Sequence, residues 1–386
     1  MTSISLGVIL MNKKRIVFLT GTRADFGKMK SLIKITQESP LFDVHIFVTG
    51  MHMIAKYGKT IIEVEKSGFK NIYPFINHDE IVHMDRNLAT TINGFSHYIA
   101  ELQPDLILVH GDRIEAMAGA IVGSLNNILV AHIEGGEISG TIDELIRHSI
   151  SKLSHIHLVS NQEAKRRLVQ MGEDEEAVFT IGSPDLDIMN SKELPSLEFV
   201  KEYYQIKYDN YAIVMLHPVT TELKAIKKQV KTFVDALLES QQNYIVIYPN
   251  NDLGSNLILD EYERFNDKPN IQMYPSIRFE YFLVLLKHAK FMIGNSSACV
   301  REAPYYQIPA INIGNRQNNR VHSKSIINID YKKEDILEAI QTALHQEKIE
   351  QDVDFGDGKS DQNFLKLLSE ESLWNISNQK QFKDRD

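Results

Sequence analysis

The sequence predicts an α/β protein made of two doubly wound, Rossmann-like domains that face each other across a cleft. Three observations lead there. Short, near-continuous apolar runs alternate with amphipathic stretches for most of the chain, the pattern of parallel sheets covered on both faces. The alternation pauses at Gly182-Ser183-Pro184-Asp185, and a polar stretch follows to about Tyr203. Two tracts, His110-Gly111-Asp112-Arg113 and His132-Ile133-Glu134-Gly135-Gly136-Glu137, each follow an apolar run. Carboxylates therefore arrive twice at the edge where strands end, which is where open α/β sheets bind ligands.

In chain order, the strands expected in the first half are 15–20, 44–49, 105–109, 128–131, 156–159 and 178–181. Helical spacing separates them, as in Met29-Leu32-Ile33 and in Ile142-Leu145-Ile146-Ser149-Ile150-Leu153, where apolar residues recur three and four apart. The second half gives 212–216, 244–248, 271–273, 291–293 and 310–313, with a helix from Phe279 to Ala289. We expect an N-terminal Rossmann-like domain over 11–190, a C-terminal Rossmann-like domain over 191–365, and a C-terminal helix with a polar tail over 366–386. Whether the last segment, from about Asp361, packs back on the first domain stays open. A chain of 386 residues suits two or three domains, each large enough to bury a core.

Composition narrows the function. The net charge of -9 argues against nucleic acid as the main partner, because phosphate backbones need a basic face. A local basic pocket for one nucleotide is still compatible with it. Cys299 is the single cysteine, so no internal disulfide and no Cys-rich zinc site is expected, and a reducing compartment fits. No apolar run approaches the roughly 20 residues of a membrane span. The apolar opening (Ile4, Leu6, Val8, Ile9, Leu10) precedes Lys13, Lys14 and Arg15, the reverse of a secretory signal. Met11 reads as the start of the natural chain, and a cytoplasmic protein is expected.

Several loops carry candidate chemistry. In each of the two tracts the His and the acid are two residues apart, so they share a face if the extended geometry persists. In Thr20-Gly21-Thr22-Arg23-Ala24-Asp25, Asp25 can cap the following helix and Arg23 stands beside its N-terminus, where anions are favoured. Thr141-Ile142-Asp143-Glu144 fits a capping box, which gives Asp143 a structural explanation. Asp143 also starts a helix just beyond the Glu134 loop, one turn from Arg147, so it is expected at the same cleft. Gly294-Asn295-Ser296-Ser297 ends a strand and opens a helix carrying Glu302. Two hydroxyls and free N–H groups there would seat a diphosphate, and Glu302 would accept from ribose hydroxyls. Arg316 ends the next strand, and His217-Pro218 and Tyr248-Pro249-Asn250-Asn251 end two more. His110, Asp112, His132 and Glu134 are residue types that ligate divalent ions, but no tight metal motif is present and no metal or cofactor is expected. His155 and His157 read as structural.

Together these tracts resemble the hydrolysing UDP-N-acetylglucosamine 2-epimerases, the NeuC-type enzymes of bacterial sialic acid synthesis. The resemblance runs from about Lys14 to Asn378. It rests on the ordered set GTRADFGK, VTGMHM, HGDR, HIEGGE, SGTIDELIRHSISKLSHIHLV, IGSPDLD, HPVTTE, YPNND, FEYF, GNSSA and REAP. It implies the two-domain fold shared with one class of glycosyltransferases (GT-B). It also implies conversion of UDP-N-acetylglucosamine and water to N-acetylmannosamine and UDP, without nicotinamide or metal. Carried over by motif, the UDP-contacting positions are Arg23, Arg113, His217, Asn250, Ser296, Ser297, Glu302 and Arg316. The acid/base positions are Asp112, Glu134 and Asp143. A homo-oligomer, dimer or tetramer, is expected. One position departs from the pattern: the family commonly has Gly near Cys299.

The chemistry explains the residue types. Loss of UDP from C1 builds positive character beside C2, and a carboxylate then removes the C2 proton to leave a glycal. Hydration with protonation of C2 from the other face gives the manno sugar. This needs several carboxylates in different protonation states, which clustering provides. Alternatives are the same chemistry on UDP-2,4-diacetamido-2,4,6-trideoxyglucose, a glycosyltransferase of the same fold, and a non-catalytic nucleotide-sugar sensor.

Overall fold

The computed structural model describes residues 13–78, 83–139, 141–317, 323–346 and 355–383. The apolar opening and the Met11 start lie outside the described residues. Seven parallel strands form the first sheet: β1 (Lys14–Thr20), β2 (Phe42–Val48), β3 (Ile72–Pro74), β4 (Leu106–His110), β5 (Leu129–Ile133), β6 (Ile156–Val159) and β7 (Val178–Thr180), in the order β3-β2-β1-β4-β5-β6-β7. Six more form the second: β8 (Ala212–Met215), β9 (Tyr244–Ile247), β10 (Ile271–Tyr274), β11 (Met292–Gly294), β12 (Ala310–Ile313) and β13 (Ile326–Ile329), in the order β10-β9-β8-β11-β12-β13. Both sheets reverse their winding once, beside β1 in the first and beside β8 in the second. Ligands of doubly wound sheets bind in the crevice at such a point.

The strands are apolar on both faces because both faces are covered. Ile16 and Phe18 of β1 join one buried cluster while Val17 and Leu19 join another, the period-2 alternation of a strand. Leu106 and Leu108 of β4 again side with the first cluster, and Ile107 and Val109 with the second. The second sheet repeats this arrangement around Ile213 on one face and Ala212 and Val214 on the other. Burying one such side chain contributes about 1.5–3 kcal/mol.

The helix Ser360–Leu368 packs on the first sheet's side of the molecule. Its Phe364, Leu367 and Leu368 lie in the same buried cluster as Ile16 and Phe18. Trp374 follows and stacks on Phe42 with ring centroids 6.4 Å apart.

Four local expectations need correction. β3 and β13 are absent from the strands read from the sequence; both are edge strands of three or four residues, too short for a clear periodic signal. Ser296 does not open one continuous helix to Glu302. A 3₁₀ turn, Ser297–Cys299, is followed by a separate short helix, Glu302–Tyr305. At the first loop, Thr22 rather than Asp25 is the cap. Thr22 Oγ1 accepts from Asp25 N–H at 3.2 Å, and the Asp25 carboxylate accepts from Gly21 N–H at 3.0 Å and Thr22 N–H at 2.9 Å, the reciprocal pairing of a capping box with the acid at its third position. At Thr141 the box is only half built: Thr141 caps the helix, but Glu144 turns to Ser139 N–H.

Candidate active site

Loops at the carboxyl ends of the two sheets face each other across one cleft, and every residue singled out above as catalytic or UDP-contacting lines it. Three carboxylates come from the first sheet's side. Asp112 follows β4, Glu134 follows β5, and Asp143 stands in the first turn of the helix Ile142–Leu153. Arg23 opens the helix after β1, and Arg113 precedes the helix after β4. From the second sheet's side come His217 after β8, Asn250 after β9, Ser296, Ser297 and Glu302 after β11, and Arg316 after β12.

The extended geometry does not persist through the His-x-acid tracts. Gly111 has φ +74 and Glu134 has φ +62, so the chain turns as each strand ends. His132 consequently points inward rather than beside Glu134. It is fully buried, with Nε2 2.8 Å from Gly111 O and Nδ1 3.0 Å from Ser151 Oγ, and burial pushes its pKa down to about 3. It braces the Asp112 loop from behind. Glu134 adopts a left-handed conformation that costs a non-glycine residue on the order of 1–3 kcal/mol, and this turns its carboxylate into the cleft.

Each carboxylate meets a different environment. Glu134 Oε1 accepts from Arg301 at 2.6 Å and from Ser183 Oγ at 2.8 Å. Its Oε2 lies 3.3 Å from His110 Nε2, out of line for a hydrogen bond. Burial alone would raise this carboxyl, but Arg301, Lys28 and His110 outweigh it and hold Glu134 well below the usual range. Asp143 Oδ2 accepts from Arg316 at 2.8 Å. Here burial wins over Arg316, helped by the nearby Asp112 and Asp252, and the Asp143 carboxyl is raised. Asp112 is engaged by Arg147 and lies 3.4 Å from Ser139 Oγ.

The opposite wall presents donors. Gly294, at φ +146, lets β11 end against β8, since a Cβ there would meet Met215 O at 2.0 Å. Asn295 then clamps the neighbouring strand end, accepting from His217 N–H at 2.7 Å and donating to His217 O at 2.8 Å. His217 Nδ1 accepts from Asn250 N–H at 3.0 Å, which leaves the proton of the neutral ring on Nε2. Burial, Arg316 and Arg113 all push the His217 pKa well down, so the ring stays neutral. From the first side, Arg113 reaches across to lie 2.9 Å from Asn251 Oδ1 and 3.3 Å from Asp252, and Arg23 stands on that same side. Arg23 Nε and Nη1 are buried without a protein partner, as is Glu302 Oε2.

Sequence reading left several contributors without a role. Lys28, buried in the helix Arg23–Glu38, stands 3.2 Å from Asp185 and 3.3 Å from Glu302. Arg147 donates to Glu134 O at 2.6 Å and also binds Asp112. Arg301, 1% exposed, meets Glu134, Glu137, Ser183 and Asp185. The available signal was a charged pair in an otherwise apolar stretch: Arg301-Glu302 lies between Val300 and Ala303, where solvated side chains are out of place. Of the histidines and acids considered for a metal, His132 has both ring nitrogens occupied, and no metal-holding group of three or more His, Cys, Asp or Glu occurs among the described residues. His155 and His157 are structural: His157 Nε2 lies 2.8 Å from Glu173, and His155 lies 3.0 Å from both Val130 N and Asn378 O.

The sequence profile of the UDP-N-acetylglucosamine 2-epimerase family matches residues 34–369. A Neisseria meningitidis serogroup B protein named UDP-N-acetylglucosamine 2-epimerase is 51% identical over 374 residues, covering 96% of this chain and 99% of that relative. A Legionella pneumophila protein named UDP-N,N'-diacetylbacillosamine 2-epimerase (hydrolyzing) is 34% identical over 359 residues, 92% of this chain and 95% of its own. Among solved structures, the Methanocaldococcus jannaschii UDP-GlcNAc 2-epimerase in complex with UDP-GlcNAc and UDP superposes with a TM-score of 0.76 at 21% identity, over 92% of this chain and 99% of that one, a likeness of fold. With the profile spanning most of its length, this chain belongs to the UDP-N-acetylglucosamine 2-epimerase family.

Proposed function

We propose that the chain is a hydrolysing epimerase that converts UDP-N-acetylglucosamine and water to N-acetylmannosamine and UDP, the entry step of sialic acid synthesis. The observation that carries this reading is one cleft in which three carboxylates gather on the first sheet's side and anion donors converge from both sides, Arg23 and Arg113 from the first and Arg316, Ser296 and Ser297 from the second. Arg23, Arg113, Arg316, Ser296 and Ser297 bind the diphosphate and stabilise it as it leaves C1. Arg23 and Glu302 support this directly, because each offers buried polar atoms that the protein leaves unpaired. Glu302 Oε2 accepts from the ribose hydroxyls, and neutral His217 donates through Nε2.

Asp112, Glu134 and Asp143 act around the sugar ring. Arg301 and Lys28 keep Glu134 ionised, whereas Asp143 is shifted toward the protonated form. Carboxyls pushed in opposite directions suit one proton leaving C2 and another arriving from the opposite face. A second reading, the same chemistry on UDP-2,4-diacetamido-2,4,6-trideoxyglucose, is favoured by the Legionella relative. The nucleotide-sugar substrate and the single cysteine both support a cytoplasmic setting, and sedimentation would test the expected dimer or tetramer. End-point NMR with each sugar nucleotide tests the function itself. N-acetylmannosamine and UDP are expected from the first, with the higher kcat/KM. Absence of turnover with either nucleotide would falsify the enzyme reading.

A further inference from the structure

We propose that Arg301 is a positioning residue that ties the nucleotide-binding turn to Glu134, so that this carboxylate is aimed at the sugar when the turn is seated on UDP. The proposal rests on the functional reading above. Arg301 belongs to the stretch that carries Ser296, Ser297 and Glu302, all of which line the cleft, yet Arg301 itself does not line it. Its guanidinium instead crosses from the second sheet's side to the first. There it donates to Glu134 Oε1 at 2.6 Å, to Ser183 Oγ and Glu137, and reaches Asp185 Oδ2 at 3.2 Å. Phe355 backs it, 4.6 Å from ring centroid to guanidinium carbon. One planar fork thus serves three carboxylates and a hydroxyl, a task that the point charge of a lysine cannot reproduce.

Glu134 needs such a hold. Its backbone is left-handed, so relaxation of the loop to an ordinary conformation would swing its carboxylate out of the cleft. Arg147 fixes its carbonyl at 2.6 Å, and Arg301 with Ser183 fixes its carboxylate. The charged groups facing Glu134 come from every neighbouring element: Arg301 before the helix Glu302–Tyr305, Lys28 from the helix after β1, His110 at the end of β4, Arg147 from the helix Ile142–Leu153, and Asp185 from the helix Pro184–Met189. Glu137 also draws on Arg301, and Glu302 on Lys28. Removing the guanidinium leaves Lys28 as the main counter-charge for several acids, so the Glu134 carboxyl rises and loses its fixed orientation.

Calorimetry with UDP, steady-state kinetics with UDP-N-acetylglucosamine and a kcat–pH profile test this in the full chain. For Arg301→Gln, UDP affinity should stay within about threefold, and kcat should fall about 10²-fold, the scale of one positioned acid–base group. The acid limb of the profile should move to higher pH, because the lost cation no longer favours the ionised carboxyl. Arg301→Lys should restore the limb in part while kcat stays low. Combined with Glu134→Gln, Arg301→Gln should add little further loss, since it acts through that residue. Overturning results are a kcat within about threefold of the parent, a loss confined to UDP affinity, or additive losses in the double variant. If Arg301→Gln does not melt cooperatively, Arg301→Lys carries the test, and unchanged kcat there overturns the proposal. An inactive parent chain sinks the functional reading and this proposal together, whereas an active parent indifferent to Arg301 sinks the coupling alone.

Discussion

Arg23 and Asp143 show how a single side chain can be read two ways until its surroundings are known. Arg23 begins a helix, where a cation is electrostatically unfavourable, and two of its buried nitrogens have no protein partner. Its nearest carboxylate, Glu63, is 3.9 Å away. A diphosphate would satisfy those donors. Hydrogen bonds to charged groups contribute about 1.5–3 kcal/mol, so Arg23→Ala and Ser297→Ala should each weaken UDP binding roughly tenfold or more by calorimetry. Unchanged affinity in both would remove the diphosphate seat. Asp143 sits in the first turn of its helix, as a dipole-stabilising acid would. It also reaches across the cleft to Arg316, which no helix-stabilising role requires. Asp143→Asn should therefore cut kcat by about 10²-fold or more while shifting the melting temperature little. A melting loss with kcat within a few-fold would favour the capping role. Most cleft residues were legible because they follow a strand end, a position marked by a drop from apolar to polar residues, whereas Asp143 and Glu302 stand farther on, in helices, and were read from the threonine and serine motifs before them. Lys28 and Arg301 were not, because they act from helix interiors and turns where the partner is distant in sequence.

Individual elements were legible in proportion to their length and burial. The strands of the first sheet's centre read correctly within a residue or two because both faces are apolar and helices bound them. β3 and β13 escaped notice as short edge pieces, and β11 is shifted by one residue because Gly294 continues the ladder. The break between Ser297–Cys299 and Glu302–Tyr305 was also invisible, since serine, alanine and cysteine there are compatible with either one helix or two turns. The helix Ile142–Leu153 has a support at its far end that no local pattern announces. Lys380 Nζ donates to Ser151 O at 3.1 Å, Lys152 O at 3.0 Å and Ser154 O at 2.7 Å, and pairs with Glu173. A cation on the last carbonyls complements the helix dipole. Glu173 is the anchor. Burial would raise its carboxyl, but His157, Lys152 and Lys380 draw it down to about 2. Its folded-state pKa lies below the unfolded value of about 4.3. Its stabilising contribution is therefore present above pH 4.3 and lost as pH falls toward 2. In Glu173→Gln, denaturant-measured stability should fall at neutral pH, and the difference from the parent should shrink across that acid window. A difference that stays constant from pH 6 to pH 2.5 would show that the ionised carboxylate is not the source.

At the scale of the whole molecule, two sheets bring their carboxyl edges together, and neither edge alone holds the full set of groups. In the proposed reaction the first side brings the three carboxylates together with Arg23 and Arg113, and the second brings Arg316, Ser296, Ser297 and His217. The fate of the C2 hydrogen separates elimination from simple hydrolysis at such a site. If the first wall merely activated water, UDP-N-acetylglucosamine would give N-acetylglucosamine with its C2 hydrogen untouched. If instead a carboxylate removes the C2 proton as diphosphate departs, the replacement proton comes from a group in exchange with solvent on the opposite face. Run in deuterated water, the reaction should then place one deuterium at C2 of N-acetylmannosamine, read by proton NMR and mass spectrometry. The bond broken is C1–O, so in ¹⁸O-labelled water the released UDP should carry no label. UDP is the informative product here, because the anomeric oxygen of a free reducing sugar exchanges with water on its own. Asp112→Asn, Glu134→Gln and Asp143→Asn should slow formation of deuterated product without diverting it to N-acetylglucosamine. Protium retained at C2 of the manno product would contradict proton abstraction and require the hydrogen to travel as hydride. Label in the UDP would instead place the attack at phosphorus, and the three sugar-facing carboxylates would then have no part in the chemistry.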